Sequence, residues 1–219
     1  MSGTHLSKGF FELVKSIGES KSKEEEDRII SSEVVVLKRK IQEPGVTRAK
    51  MKEFLIRMIY VEMLGQDASF GYIKAIELTA SQNILQKKAG YLCCTLTLAP
   101  DHEFRFMLVN QMQRDLSSSN HLEACAALTA LSHLVTEDMI PAVLSHVVKL
   151  LKHDKELVRK KAVMVLQRLY QLEPESVGHM GDMIRRTLCD KDPSVMAASL
   201  CLLSDLVATN PEPYKARLS

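Results

Sequence analysis

The sequence predicts an all-α fold built from stacked helical pairs, and three observations carry that prediction. Breakers are few among 219 residues, with Gly 9 and Pro 7, and aromatics are 5% with no Trp, which disfavours β-sandwiches and barrels. Hydrophobic residues make up 46% of the chain, ample for a core. Apolar residues recur at helical spacing, and the pattern itself recurs. Leu85, Leu122, Val158 and Val195 each open a segment with a small residue four positions on (Ala89, Ala126, Ala162, Ser199), at intervals of 37, 36 and 37 residues. A second series, Ile73, Leu108, Leu144 and Met180, runs between them at intervals of 35, 36 and 36. Two amphipathic helices per period of this length are the pattern of a HEAT- or armadillo-like α-solenoid. A lone pair exposes an apolar stripe, and the next pair covers it.

The elements follow in order. Residues 1–8 read as frayed, and a first helix is expected over about 10–17. Ser22 with Glu25 forms a capping-box pattern that opens a helix over 22–42. Glu24, Glu25, Glu26 and Asp27 fall in its first turn, where the helix dipole favours a solvated acidic face. Glu43-Pro44-Gly45 breaks the chain. Helices are then expected over 50–64, 70–81, 84–98, 102–117, 120–134, 137–152, 155–172, 176–189 and 192–208. Phe104, Leu108, Met112 and Leu116 share one face, as do Ile140, Leu144, Val147 and Leu151. Asn120 with Glu123 reads as a second capping box, and Asp192-Pro193 as a cap with proline at the first helical position. The small residues at 89, 126, 162 and 199 mark close helix approach. The final residues from Asn210 lead into a helix that has scarcely begun, so the chain reads as a fragment of a longer array. Residues 1–21 form an N-terminal segment with the short first helix, and 22–219 form the solenoid.

Known chemistries find little purchase. The net charge of +2 argues against bulk nucleic-acid binding. No apolar run approaches the ~18 residues of a membrane span, and the N-terminal residues lack the apolar core of a secretory signal. Cys93, Cys94, Cys125, Cys189 and Cys201 lack disulfide or zinc spacing and read as small core residues in a reducing compartment. His146 and His153 lie two turns apart, but no further ligand completes a metal site in sequence. No phosphate loop, G-x-S-x-G or H-E-x-x-H motif occurs. No catalytic residue, cofactor or metal is therefore expected.

One charge pattern stands out. Residues 38–57 hold seven basic residues (Lys38, Arg39, Lys40, Arg48, Lys50, Lys52, Arg57) and two acidic ones, Glu43 and Glu53. They span a helix end, a loop and the next helix start. Such a cluster suits anionic lipid headgroups, at ~1 kcal/mol per cation near a charged membrane. Arg48, Lys50, Lys52 and Arg57 are the candidate lipid contacts. Arg159, Lys160 and Lys161 also cluster, but basic residues there belong to the HEAT pattern.

The stretch from Met63 to Leu96 resembles the large-subunit (adaptin) trunk of the heterotetrameric adaptor-protein complexes. The landmarks are Leu64-Gly65, Phe70-Gly71, Lys87 or Lys88, and Gly90-Tyr91-Leu92, with Asn110, Asp115-Leu116 and Arg159-Lys160-Lys161-Ala162 further on. The resemblance runs from about Phe10 to the last residue. Within the family it is most similar to the epsilon branch of the fourth complex, from stretches such as FFELVKSIGESKSKEEEDRI and TLCDKDPSVMAASL. A gamma- or alpha-like adaptin, or a generic HEAT-repeat scaffold, is the alternative.

The resemblance implies a non-enzymatic scaffold subunit that cradles a sigma subunit and pairs with beta and mu subunits. It implies recruitment by a GTP-loaded Arf-family GTPase and selection of transmembrane cargo. The implied place is cytoplasmic, peripheral on trans-Golgi and coated-vesicle membranes. It also implies two site comparisons. The phosphoinositide cluster of alpha subunits falls on Met51, Lys52 and Glu53, with Arg57 just beyond, and only Lys52 and Arg57 are basic there. The arginine that some relatives place beside the sigma pocket for acidic dileucine cargo is matched by Gly18. Lys15 and Lys21 flank that position and are the candidate basic residues on the cargo and sigma side.

Overall fold

The computed structural model describes residues 7–178 and 180–209. All the described regular structure is helical, and no described helix is long and apolar enough to cross a membrane. The chain divides into two compact units, Met1–Ala99 and Pro100–Ser219.

The first unit holds α1 (Lys8–Gly18), α2 (Lys23–Gln42), α3 (Arg48–Met63), α4 (Tyr72–Thr79) and α5 (Ile84–Thr97). Ser7 caps α1 by accepting from the Phe10 N–H at 3.2 Å, so Ser7 and Lys8 are ordered by the helix rather than frayed. Residues 1–6, read with them as frayed, lie outside the described residues. Ser22 accepts from the Glu25 N–H at 3.2 Å, and Glu25 accepts in return from the Lys21 N–H at 2.9 Å. The reciprocal bond of the expected capping box thus falls one residue earlier than the cap. Helix α1 packs on α2, α2 on α3, and α5 on both α3 and α4. The core includes Ile30, Leu37 and Ile41 of α2 with Leu55, Met58 and Val61 of α3, all essentially inaccessible.

Three glycines set this packing. Gly65 takes a φ of +87°, which lets the chain turn after α3. Gly71 lies under the Met58 thioether, whose sulfur would overlap a β-carbon there. At Gly90 a β-carbon would meet the Ala75 carbonyl oxygen and the Thr79 nitrogen at 2.8 Å each, so α5 crosses the α4 backbone as closely as atoms permit.

The second unit holds α6 (Phe104–Met107), α7 (Val109–Leu116), α8 (His121–Leu134), α9 (Ile140–Leu150), α10 (Glu156–Leu172), α11 (Pro174–Gly178), α12 (Gly181–Leu188) and α13 (Pro193–Thr209). It contains three successive pairs: α7 with α8, α9 with α10, and α12 with α13. Helix α8 packs on α10, and α10 on α13, so each pair covers its neighbour. The helix expected over 102–117 breaks at Leu108, whose N–H reaches only three residues back to Arg105 O at 3.1 Å. The helix expected over 176–189 divides into α11 and α12, with Gly178 and Gly181 bracketing the break. The stretches 70–81 and 137–152 begin in short 3₁₀ turns, Ser69–Gly71 and Glu137–Met139. Residues 210–219, read as leading into a further helix, lie outside the described residues.

The inter-helix turns repeat as units. Ser81 Oγ accepts from the Asn83 N–H, Ser118 Oγ from the Asn120 N–H, His153 Nδ1 from the Lys155 N–H and Asp190 Oδ1 from the Asp192 N–H, all at 2.9–3.1 Å. The intervals between these turns are 37, 35 and 37 residues. Asn83, Asn120 and Asp192 then cap the following helices, each accepting from the N–H two residues on. Pro193 stands first in α13, as the sequence predicts. At Asn120 the expected box is modified: Ser118 donates to Glu123 at 2.6 Å and accepts from the Asn120 N–H.

These turns move part of the sequence register by one residue. Leu157, not Val158, is the counterpart of the exposed Leu85 and Leu122, while Val158 and Val195 are buried together. Gly90, Ala127, Ala162 and Ser199 share one structural position, and all are buried. Ala126 and Ala162 are both buried, but Ala162 aligns with Ala127 rather than with Ala126. In the other series Ile73 is exposed and Leu144 only half-buried. Leu108 and Val143, each ten residues before its turn, are the buried counterparts, and their interval is 35 residues, as between those turns.

Candidate functional site

The basic stretch folds into one corner of the first unit, where α2 ends and α3 begins. Lys38, Arg39 and Lys40 occupy the end of α2, where positive charge complements the helix dipole. Arg48, Lys50 and Lys52 occupy the start of α3, where the dipole opposes them. Thr47 caps that helix, accepting from the Lys50 N–H at 3.4 Å, and the first turn contains no acidic residue. Three cations at the positive end of a helix do nothing for helix stability. They raise the local potential and favour an anion.

Between the two helix ends lies a cavity of about 420 Å³, lined by Lys40 and Lys50 together with Glu43, Thr47, Glu53 and Phe54. Lys40 Nζ stands 5.7 Å from the Phe54 ring centroid, and Lys38 Nζ stands 5.3 Å from that of Phe70. Both rings hold a cation at the corner by cation–π attraction. Lys40 belongs to this cavity although it is absent from the four lipid candidates. Its signal in the sequence was Phe54, fourteen residues on, but only the fold brings the ring beneath it.

Arg48 and Lys50 are exposed and Lys52 is half-buried, so all three reach the surface. Arg57 does not join them. It is 9% exposed and donates to Glu33 of α2 at 2.7 Å, with Glu33 itself 8% exposed. A β-carbon on Gly9 would lie 3.5 Å from Arg57 Nη1, so the guanidinium also backs onto α1. Two turns into α3, the side chain points into the α1–α2–α3 core, and a buried ion pair of this kind is costly to break. Arg57 is therefore a structural residue of the corner and not one of its surface cations.

Lys15 and Lys21 are both exposed but belong to different elements. Lys15 sits in the last turn of α1 and pairs with Glu19 at 3.7 Å. Lys21 lies in the turn before α2, with its backbone N–H engaged by Glu25. Gly18 ends α1, with open space where a side chain would extend. The two lysines flank that space without converging on a shared partner.

The cysteines divide. Cys93, Cys94 and Cys125 are buried, as expected of small apolar residues, but Cys189 and Cys201 are exposed. Cys189 follows the short α12, and Cys201 lies on the outer face of α13, which no following helix covers among the described residues. Burial pushes the Cys94 thiol up to about 12, and the Cys93 thiol is raised by the same cause. Among the described residues no three His, Cys, Asp or Glu side chains converge on a metal site.

Comparison with known proteins agrees with this architecture. The adaptin N-terminal region family matches residues 26–219. The AP-4 complex subunit epsilon of Arabidopsis thaliana is 53% identical over 99% of this chain and 23% of its own length. The AP-4 complex subunit epsilon-1 of Homo sapiens is 44% identical over 93% of this chain and 18% of its own length. An AP-2 complex subunit alpha-1 of Arabidopsis thaliana reaches 32% over 80% of the chain. The chain thus spans about a fifth of the length of the curated relatives it matches. A homology model of the full-length AP-3 complex in an intermediate open conformation superposes with a TM-score of 0.66 at 24% identity, over 75% of this chain and 29% of that one. A designed armadillo repeat protein superposes with a TM-score of 0.58 at 11% identity, over 91% of this chain and all of that one, and supports the repeat fold alone. With a family match over residues 26–219, repeat packing in place and 53% identity to an epsilon subunit over 99% of its length, the chain belongs to the adaptin N-terminal family.

Proposed function

We propose that the chain is the trunk portion of an epsilon-like large subunit, a non-enzymatic scaffold that pairs with sigma, beta and mu subunits in a heterotetrameric adaptor complex. The observation that carries this reading is the 53% identity to an AP-4 epsilon subunit over 99% of the chain. Identity to an AP-2 alpha subunit is only 32%, which favours epsilon over an alpha-like assignment. Such a complex is recruited by a GTP-loaded Arf-family GTPase to trans-Golgi membranes, where it sorts transmembrane cargo into vesicles. Residues 22–219 act as the scaffold, and residues 1–21 carry the α1 segment beside it.

The corner at the α2–α3 junction supplies the membrane contact. Arg48, Lys50 and Lys52 present positive charge at a helix start where stability gains nothing from it. Lys40 adds a further cation at the cavity rim. Anionic headgroups then contribute to binding alongside the GTPase. Gly18 removes a cation from the place where relatives meet acidic dileucine cargo, and Lys15 and Lys21 are the remaining cations on that side.

Liposome recruitment tests the reading. The assembled complex is sedimented with trans-Golgi-like vesicles carrying Arf-family GTPase loaded with either GTP or GDP. Recruitment in the GTP state alone is expected. Equal recruitment in both states would contradict the GTPase-dependent role.

A further inference from the structure

The groove between α9 and α12 in the second unit differs from its counterpart one pair earlier. Helix α7 packs directly on α9, and Gln113 Nε2 donates across the junction to the Ala142 carbonyl at 2.8 Å. The corresponding position, 35 residues on by the interval between the Ser118 and His153 turns, is Val148, which has no such donor to offer. Lys149 beside it is exposed, and the α9–α12 junction opens into a cavity of about 390 Å³. Val148 and Met183 give this cavity a mostly apolar lining, and Lys149, Lys152 and Arg186 surround it with positive charge. Asp182 is the one acidic residue that lines it, and it pairs with Arg185 at 3.7 Å. Three cations around an apolar groove outnumber the one carboxylate in its lining and leave the rim net positive.

We infer that this groove docks an acidic amphipathic helical segment of a partner protein. Aliphatic side chains of the segment pack on Val148 and Met183, and its carboxylates meet Lys149, Lys152 and Arg186. The apolar lining argues against a bare phosphate, which would bury no hydrocarbon there. The cations argue against a wholly apolar helix, which would leave charge desolvated at the rim. Helix-in-groove recognition with charged flanks needs both features. The groove is built from residues of the second unit alone, so the inference stands without the membrane reading.

Fluorescence anisotropy on the full chain tests the inference. The probe is a fluorescein-labelled helical peptide of Glu, Leu and Ala, with leucines on one face and glutamates beside them. Binding that weakens about tenfold in the Lys149→Glu, Lys152→Glu double variant and in Arg186→Glu supports the site. Met183→Ala is expected to weaken binding without changing its salt dependence, whereas the charge variants flatten that dependence. Lys88→Glu, an exposed reversal in the first unit, is expected to bind like wild type. Circular dichroism checks that each variant keeps its helices. No binding of the peptide to wild type, or equal binding by the reversal variants, overturns the inference. So does loss of binding to phosphatidylserine vesicles in these variants with peptide binding intact, which would make the groove a lipid site.

Discussion

Arg159 and Asp190 form a two-pronged ion pair between consecutive repeats, with Nε to Oδ2 at 2.7 Å and Nη2 to Oδ1 at 2.8 Å. The third guanidinium nitrogen donates to the His153 and Asp154 carbonyls at 2.8 and 3.0 Å. One side chain on α10 thus ties its own inter-helix turn to the next. Asp190 in turn accepts from the Asp192 N–H and so shapes the turn that opens α13. The basic residue that sequence reading assigns to the HEAT pattern is a staple between turns.

The staple makes a pH prediction. The Arg159 guanidinium holds the Asp190 carboxyl below the usual carboxylate range, and Asp190 raises Arg159 in return. A depressed folded-state value stabilises the protein above the unfolded value of about 3.9 and loses that stability as pH falls through the folded value. Asp190→Asn is expected to cost about 2 kcal/mol at neutral pH. The difference from wild type should shrink below about pH 4. Urea denaturation at both pH values measures it.

Close helix approach predicts two destabilised variants. Gly90→Ala places a β-carbon 2.8 Å from backbone atoms of α4, which cannot move aside as a side chain can. Ala162→Leu overfills a fully buried position on α10. Each is expected to cost about 1–3 kcal/mol. Melting temperatures of wild type and variants check both, and an unchanged Ala162→Leu would contradict the repeat register.

The divided cysteines predict a labelling pattern. Cys189 and Cys201 should react with Ellman's reagent in the folded chain at pH 8. Cys93, Cys94 and Cys125 should react only after denaturation, because burial blocks the reagent at all three and also disfavours the thiolate at Cys93 and Cys94. Mass spectrometry of the labelled peptides assigns each thiol.

Most helices were legible because apolar spacing and caps report the local chain. Asn83, Asn120 and Asp192 cap helices within about a residue of where periodicity begins them. Register was less legible. Leu85 and Leu122 look like the buried Val158 and Val195 in one dimension, yet only the turns at 81, 118, 153 and 190 show that a copy is one residue shorter. The site was half legible. A run of cations shows in sequence, but nothing local separates Lys52, which reaches the surface, from Arg57, which meets Glu33 twenty-four residues back. The exposure of Cys201 was equally hidden, since its neighbours are apolar and only packing decides which face is covered.

The basic corner predicts a salt-sensitive membrane effect. Lys50→Glu with Lys52→Glu replaces two attractive charges by two repulsive ones, near a surface whose field decays within about 8 Å at physiological salt. Sedimentation of the complex with anionic liposomes should weaken for the double variant at low salt. The gap should close as salt rises. Arg57→Glu is a different case: it should destabilise the α2–α3 core, because Glu33 would be left facing a like charge. Equal liposome binding by wild type and the double variant at low salt would leave the corner a solvated rim.

Co-purification tests the scaffold reading most directly. The full-length protein that contains this trunk, tagged and purified from its own cells at endogenous level, should bring down one sigma, one beta and one mu subunit in equal amounts. Those subunits should be the ones that accompany epsilon rather than alpha or gamma relatives. Recovery of the protein alone, or with the subunits of another adaptor complex, would contradict it.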